Sequence, residues 1–594
     1  MCGITGLIKT SINSRDVGIF NRMRDSLAHR GPDGYGTIQS GNILLGHRRL
    51  AIIDLSESGN QPMHTEDRRY YITYNGELYN FLDIKNDLVK SGYSFFGSSD
   101  TEVVLNAYIE YGPDCLKKFN GMFAFAVLDT FKKELFLARD RFGQKPLYYY
   151  LKNGVFAFAS ELRAFRENPD IELEKSTESL NCYLALGYVL SPKTIYRHLY
   201  QLDPSTYLKI NHKLEIVEKA KFWNYEDYFA QKSKDKLPVK KEKIFSLLKK
   251  SVNARMVGDV PLGSLLSGGM DSGIVTYLLQ SNAPEPVSTF SIGFELPSYN
   301  ELGDAKRLAE FLGTVHASGI INRGNYYELC DEAVSKLDGL LGDNSFIPTY
   351  ALFKLASGDV KVVLSGDAGD EMFAGYATYR ADLIFEIAKY CPGFILRYLS
   401  RRKRVNSERK VGFGFKMQQF AYGSQFDYRK AHYCWRMIFR PEERVSILGE
   451  ENRELVYDTD PLREFEKYYE RVKHLNRLDQ HLFVDAMTWL PDDILTKVDR
   501  SSMSCGIEAR TPFLDKDFVE YAASLEAEDK LSIFENKAIL KESFRKKMPE
   551  FVFKKPKSGF NMPVANYMQP EFFNEFQDYT YFIYRRAMQT EKVF

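Results

Sequence analysis

The chain has no Cys-x-x-Cys pair. Its seven cysteines stand at 2, 115, 182, 330, 391, 434 and 505, a scatter that disfavours both a zinc site and a disulfide framework, so a reducing cytoplasm is the expected compartment. It also lacks any apolar run long enough to span a bilayer. The opening Met1–Ile8 is apolar but short, with neither a basic leader nor a small-residue cleavage site, so neither secretion nor a membrane association is expected. Charge of one sign is missing too: 80 basic against 79 acidic residues leave a net +1, which gives no overall pull toward nucleic acid or membrane. Basic runs at Lys232–Lys243, Arg401–Arg404 and Arg409-Lys410 are expected as solvated linkers or loops. Internal repeats and low-complexity tracts are absent from the sequence.

What is present is size and one distinctive loop. A chain of 594 residues with 44% hydrophobic content exceeds what one core supports, so two or more domains are expected. Val260–Gly273 reads as an apolar strand, a turn Ser267-Gly268-Gly269-Met270-Asp271-Ser272, and the start of a helix at Ile274. Adjacent glycines let backbone N–H groups approach an anion, Ser267 and Ser272 add hydroxyl donors, and the helix start adds partial positive charge. A Walker-type loop would end in Gly-Lys-Ser/Thr. This one has no lysine and carries Asp271, a magnesium-ligand type, and so it resembles the pyrophosphate loop of enzymes that split ATP into AMP and pyrophosphate.

Cys2 directly follows the initiator methionine and precedes a small glycine that favours removal of Met1. Once Met1 is gone, Cys2 carries a thiol of pKa about 8.5 and its own α-amine at about 7.7–8.0, so nucleophile and base sit on one residue. Behind it come the turn-rich His29–Gly34, the basic strand Gly46–Asp54, the strand Tyr74–Asn80, a helix-cap pattern at Ser98–Val103 and an apolar strand Gly121–Asp129. Many strands and few long helical patterns suggest packed sheets.

Met1-Cys-Gly-Ile, His29-Arg-Gly-Pro-Asp, Asn75-Gly-Glu77, Ser99-Asp-Thr-Glu102 and Arg139–Gly143 resemble the class II, N-terminal-nucleophile glutamine amidotransferases. With Ser267–Ser272 they resemble glutamine-dependent asparagine synthetases from the first residue to about Val564. The resemblance implies an α+β sandwich (αββα) followed by an α/β doubly wound parallel-sheet ATP-pyrophosphatase domain. The expected extents are 2–215 and 236–594, joined through the polar stretch around 210–235. It implies that Cys2 attacks the glutamine amide, that Asn75 and the Gly76 N–H hold the oxyanion, that Arg49 binds the α-carboxylate, and that Asp100, with Glu77 or its backbone, binds the α-ammonium.

In the second half, strands at Val287–Phe294 and Val360–Ser365 alternate with a helical Ala305–Leu312, which suggests a parallel sheet with ligands at strand carboxyl ends. By the resemblance, the nucleotide site takes in Leu265, Ser267, Gly268, Gly269, Asp271, Ser272, Ile292, Ser365 and Gly366. Asp271 and Asp370 would hold Mg2+ on the pyrophosphate, and Asp367 and Lys537 match the adenylation site. Leu490–Arg500, Glu508–Asp515 and Lys554–Pro563 look like further synthetase signatures. Asp492, Asp493, Lys497, Asp499 and Arg500 are read as pairing groups or site groups alike.

Four positions depart from the pattern: Gln144, Asp203-Pro-Ser205 where Pro-Pro-Gly is common, Gly339 where relatives carry a glutamate, and Ala368 where glycine is frequent. The expected substrates are glutamine, ATP and a carboxylate. Aspartate is the leading acceptor, a uronic-acid sugar of surface-polysaccharide assembly the other. A homodimer is left open by the resemblance.

Overall fold

A computed structural model describes residues 1–388, 390–401, 413–555, 559–563 and 575–589. The basic residues 402–404 and 409–410, residues 556–558 of the third synthetase signature, Val564 and the stretches 564–574 and 590–594 lie outside the described residues.

Residues 3–221 build two six-stranded antiparallel sheets. One runs Leu199–Gln201, Tyr148–Lys152, Val155–Ala159, Gly3–Lys9, Ile43–Arg49, Gly34–Ser40; the other Ile216–Lys221, Thr206–Asn211, Glu134–Arg139, Gly121–Asp129, Tyr70–Leu78, Met63–His64. Strand alternation explains how they stack, because successive side chains point to opposite faces. Ile4, Ile8, Leu45, Ala126, Leu137 and Phe158 form the core between the sheets. The alternate residues Leu7, Leu44, Tyr74, Phe125 and Val127 turn outward to a second core, shared with helices Ser14–Asp25 and Asp100–Tyr111. The layering is helix, sheet, sheet, helix. Gly121–Asp129 is covered on both faces, as its unbroken apolar run requires. Strand Ile216–Lys221 belongs to this half, so its sheet continues past residue 215.

The second half holds a five-stranded parallel sheet in the order Val315–Ile321, Ser288–Phe294, Leu262–Leu265, Val362–Leu364, Glu508–Arg510. The chain starts in the middle strand, winds outward one way, then returns to wind the other. The direction reverses between Leu262–Leu265 and Val362–Leu364, which is where open parallel sheets leave a crevice for ligands. The loops that follow these two strands are Ser267–Gly269 and Ser365–Ala368.

The run Lys232–Lys243 is not a solvated linker throughout. A helix, Leu237–Ala254, starts inside it, with Pro238 in its first turn and Lys240, Ile244, Leu248 and Val252 buried on one face. Lys240 pairs with Asp529 at 2.5 Å, and Lys232 with the fully buried Asp479 at 2.6 Å. Helical spacing put the lysine stems on the packed face, and buried carboxylates made that burial tolerable.

The two halves meet along buried charges. Arg30 gives Nη1 and Nη2 to Asp499 at 2.8 and 3.1 Å and Nη1 also to Glu161 at 2.8 Å. Ser191 donates its N–H and hydroxyl to Asp492, and Arg500 donates to the Tyr148 hydroxyl at 3.1 Å. Asp338 accepts the N–H groups of Leu162 and Arg163. Gly339 beside it has φ +89°, a left-handed backbone that a glutamate would adopt only with strain.

Candidate active site

The first site forms where strand Gly3–Lys9 begins. Cys2 is buried, 7% exposed. It shares a small cavity with Arg49, Tyr74, Gly76, Glu77 and Asp100. The Cys2 N–H donates to Asn75 Oδ1 at 2.9 Å, which turns the Asn75 Nδ2 group the other way, and that nitrogen is buried without a partner among the described residues. An orphaned amide donor beside a buried thiol is what a developing oxyanion needs. Gly76 must be glycine here, because a Cβ would come within 2.4 Å of the Met122 carbonyl across the strand pair. Burial raises the Cys2 thiol pKa, against the opposing pull of the chain's α-ammonium.

Asp100 opens helix Asp100–Tyr111, after Ser99 caps it by accepting the Thr101 N–H. Its Oδ2 accepts from the Tyr74 hydroxyl and the Leu78 N–H, both at 2.9 Å. Burial nevertheless pushes the carboxyl up to about 6, outweighing both hydrogen bonds. Arg49 lines the cavity but is held from behind by the 54–60 loop: Nη1 reaches the Ser56 carbonyl at 2.8 Å and Asn60 Oδ1 at 3.1 Å, and Nη2 the Asp54 carbonyl. Glu77 lines the same cavity and lies 3.3 Å from Arg510 Nη2 of the other half.

That last contact leads to residues the sequence reading did not assign to this site. Arg510 Nε donates to Glu508 Oε1 at 2.6 Å, and Glu508 Oε2 lies 3.0 Å from the Met1 ammonium. Burial raises the Glu508 pKa, but the Met1 ammonium and Arg510 together pull it down to about 2. Glu508 and Arg510 lie on the strand beside Val362–Leu364, and the Arg510 carbonyl accepts the Ser365 N–H at 2.9 Å. One short strand thus backs the Cys2 cavity with its side chains and anchors the second nucleotide loop with its backbone. No local pattern could have revealed this, since more than 400 residues of chain separate Glu77 from Arg510.

The second site lies at the crevice. Ser267 and Ser272 hydroxyls are 3.1 Å apart and Gly269 N–H donates to Ser267 Oγ at 3.3 Å, which curls the loop around its own backbone donors. Helix Met270–Gln280 follows directly. Gly268 has φ +70° and packs on the start of helix Leu302–Leu312. Gly366 packs so closely that a Cβ would sit 2.6 Å from the Ser272 nitrogen, so the two loops touch. Leu265 ends its strand, and Ile292 sits within the neighbouring one. Lys537 reaches between the loops, 2.6 Å from Asp271 Oδ2 and 2.6 Å from Asp370 Oδ1. Asp367 lies between Ser365-Gly366 and Asp370 on the same turn. The two carboxylates expected to share a metal are therefore bridged by the lysine expected at the phosphate.

Two departures from the family pattern have a backbone explanation. Ala368 has φ +69° and Ser205 φ +54°. Both keep the left-handed conformation for which glycine is the low-strain residue.

A buried cysteine at position two beside an unpartnered amide donor, in a helix-sheet-sheet-helix sandwich, joined to a parallel sheet with a glycine loop and no Walker lysine, has the make-up of an N-terminal-nucleophile amidotransferase fused to an ATP-pyrophosphatase. Residues 1–223 match the model of a glutamine amidotransferase domain, and residues 243–580 that of asparagine synthase. The chain belongs to the glutamine-hydrolysing asparagine synthetase family. Asparagine synthetase (glutamine-hydrolysing) 1 of Bacillus subtilis (strain 168) is 32% identical over 577 residues, 96% of this chain and 88% of that protein. A putative asparagine synthetase (glutamine-hydrolysing) 2 of Methanocaldococcus jannaschii is 37% identical over 415 residues, 66% of this chain and 79% of its own. A putative asparagine synthetase of Mycobacterium bovis is 29% identical over 558 residues, 91% and 84% of the two chains. No described helix is long and apolar enough to cross a membrane.

Proposed function

We propose that the chain makes asparagine from aspartate, glutamine and ATP, with glutamate, AMP and pyrophosphate as the other products. The observation that carries this reading is the Glu508–Arg510 strand, which joins a cavity fit for glutamine hydrolysis to a loop fit for ATP. The amidotransferase half takes residues 2–215 with the edge strand to 221, and the synthetase half runs from 236 onward.

In the first half Cys2 attacks the glutamine amide carbon. Removal of Met1 leaves the Cys2 α-amine, whose nitrogen is held by Asn75 Oδ1, to take the thiol proton, and frees Glu508 of its Met1 partner. Asn75 Nδ2 and the Gly76 N–H hold the oxyanion, and losing one such donor costs about 2.7–4 kcal/mol of barrier. Collapse, with the α-amine passing the thiol proton to the leaving nitrogen, expels ammonia and leaves a glutamyl thioester, which water hydrolyses to glutamate and free Cys2. Arg49 binds the α-carboxylate, its guanidinium pre-set by the 54–60 loop, and Asp100 binds the α-ammonium.

In the second half, Leu265 and Ile292 flank the adenine, and Ser267, Gly268, Gly269, Ser272, Ser365 and Gly366 hold the phosphates. The aspartate β-carboxylate attacks the α-phosphorus and pyrophosphate leaves. Lys537 stabilises charge on the transferring phosphoryl group, and Asp367 positions the reacting carboxylate. Ammonia then displaces AMP. Asp271 and Asp370 fit Mg2+: they are hard oxygen donors, and Asp271 Oδ1 is buried without a hydrogen-bond partner among the described residues. A bound Mg2+ would neutralise charge on the pyrophosphate. Leu50, Ile52, Tyr79, Met122, Val362 and Met503 pack together across the two halves, so the seam between the two sites is apolar.

The test is pyrophosphate release by the purified chain with ATP, Mg2+ and glutamine, comparing aspartate, uronic-acid nucleotides and no acceptor. Stimulation by aspartate with asparagine appearing is expected. Stimulation only by a uronic-acid nucleotide would transfer the same chemistry to the other acceptor class.

A further inference from the structure

The stretch Leu490–Arg500 carries five charged side chains that the sequence leaves between pairing and chemistry. Four have clear partners: Asp492 with Ser191, Lys497 with Asp343 at 2.8 Å, Asp499 with Arg30, and Arg500 with Tyr148. Asp493 is the exception. It is 2% exposed, and its Oδ1 has no partner among the described residues. It sits in a wide π-helical turn, Leu490–Leu495, a local geometry common at functional positions.

Arg436 is incomplete in the complementary way. Its Nη2 lies 2.6 Å from Asp485, but Asp485 is already engaged by the Tyr379 hydroxyl at 2.6 Å and by His432 at 3.1 Å. The Arg436 side chain is 7% exposed, and its Nε and Nη1 groups have no partner among the described residues. The guanidinium stacks 4.7 Å from the Trp489 ring centroid and 5.4 Å from that of Tyr376. Trp489 is one turn before Asp493, and its own indole N–H is buried and unpartnered among the described residues.

This pair lies beside the nucleotide crevice. Tyr376 donates to Glu371 at 2.7 Å, and Glu371 follows Asp370 on the short helix Gly369–Phe373. Lys497 stands one turn after Asp493, and the charge of Asp367 acts on it. Burial, then the nearby Asp343, raises the Asp493 pKa, while Lys497 and Arg436 oppose the rise. A buried guanidinium with spare donors and a buried carboxyl with a spare acceptor are costly to leave empty. Together they are complementary to a zwitterion.

We propose that Arg436 and Asp493 form the acceptor subsite, Arg436 binding the α-carboxylate and Asp493 the α-ammonium of an acidic amino acid whose side-chain carboxylate is directed to the nucleotide. This rests on the reading of the second half as an enzyme that adenylates a carboxylate. A uronic-acid sugar offers no ammonium and would leave Asp493 without a cation, so the subsite selects an amino acid over a sugar acid. Asp485, His432 and Tyr379 hold the guanidinium in place and are positioning residues.

The experiment uses the full chain with ATP, Mg2+ and ammonia as nitrogen source, so that Cys2 does not enter. Pyrophosphate release is measured with L-aspartate, with succinate, which lacks the α-ammonium, and with β-alanine, which lacks the α-carboxylate. The parent chain is expected to favour aspartate over each analogue by at least about 100-fold in kcat/KM, about 2.7 kcal/mol. Asp493→Asn should raise the KM for aspartate at least tenfold and narrow the aspartate-to-succinate ratio at least tenfold. Arg436→Lys, which keeps a cation for Asp485, should narrow the aspartate-to-β-alanine ratio similarly. The KM for ATP should stay within twofold in both. Should Arg436→Lys fail to fold, the isosteric Asp493→Asn decides alone. An active parent with both ratios unchanged in the variants overturns the subsite and leaves the synthetase reading standing. A parent chain silent with aspartate overturns that reading as well.

Discussion

The Cys2 cavity and the nucleotide crevice solve opposite electrostatic problems. Around Cys2 the groups are neutral or matched in advance: an amide donor held in place by a backbone N–H, an arginine fixed by carbonyls, an aspartate with two donors. At the crevice the groups are charged, with Lys537 clasped between Asp271 and Asp370 and one negative charge left over. The first arrangement suits a reaction whose charge appears only transiently, for which preset dipoles cost no reorganisation. The second suits a substrate that arrives highly charged, because carboxylates and a lysine offer partners to metal and phosphate.

The comparison breaks most sharply by reciprocal substitution. Cys2→Ala should abolish glutamine-dependent synthesis, a loss of more than about 10³-fold, while ammonia-dependent synthesis persists. Asp271→Asn should stop pyrophosphate release and leave glutamine hydrolysis measurable. Parallel loss of both activities in either variant, read in glutaminase and pyrophosphate assays, would refute two separable sites.

A smaller effect probes the seam. Asp499→Ala removes a carboxylate from the fully buried Arg30 and should destabilise the chain by about 3 kcal/mol, within the range for breaking a buried pair. Urea unfolding measures it, and an unchanged midpoint would mean that Glu161 alone suffices for Arg30.

Acidity separates the sites further. Burial holds Asp100 at about 6, and binding an α-ammonium needs the ionised form. The KM for glutamine should therefore rise about tenfold per unit as pH falls below about 6, while the KM for ATP does not follow that curve. A flat glutamine profile between pH 5 and 7 would remove Asp100 from glutamine binding.

The smallest expected change sharpens the account of the nucleotide loop. Ala368→Gly relieves a left-handed alanine and should stabilise the chain by about 1 kcal/mol, visible as a small rise in thermal midpoint. A fall would mean that the methyl group's packing outweighs the backbone strain.

Much of this was legible in the chain. The density of strands gave the sandwich and alternating elements gave the parallel sheet, while the roles expected around Cys2 came from the family resemblance. The helix Leu237–Ala254 was legible only in part, because lysine-rich composition masked its apolar face. Ser205 and Ala368 depart from the family pattern in sequence, but both hold a glycine-like backbone. Asp493 could not be told from its charged neighbours, because pairing depends on what the rest of the fold brings within reach.

By itself the sequence determined what is local: a cysteine at position two, a serine-glycine turn between a strand and a helix, and the alternation that dictates sheets and helices. Only the tertiary structure decided which distant charges face one another. It set Arg510 against Glu77, Met1 against Glu508 and Lys537 between two aspartates, and left Arg436 and Asp493 with spare groups. The reason is physical. Strand and helix preferences act over a few residues, whereas charge pairing in a dry interior is settled by packing across hundreds.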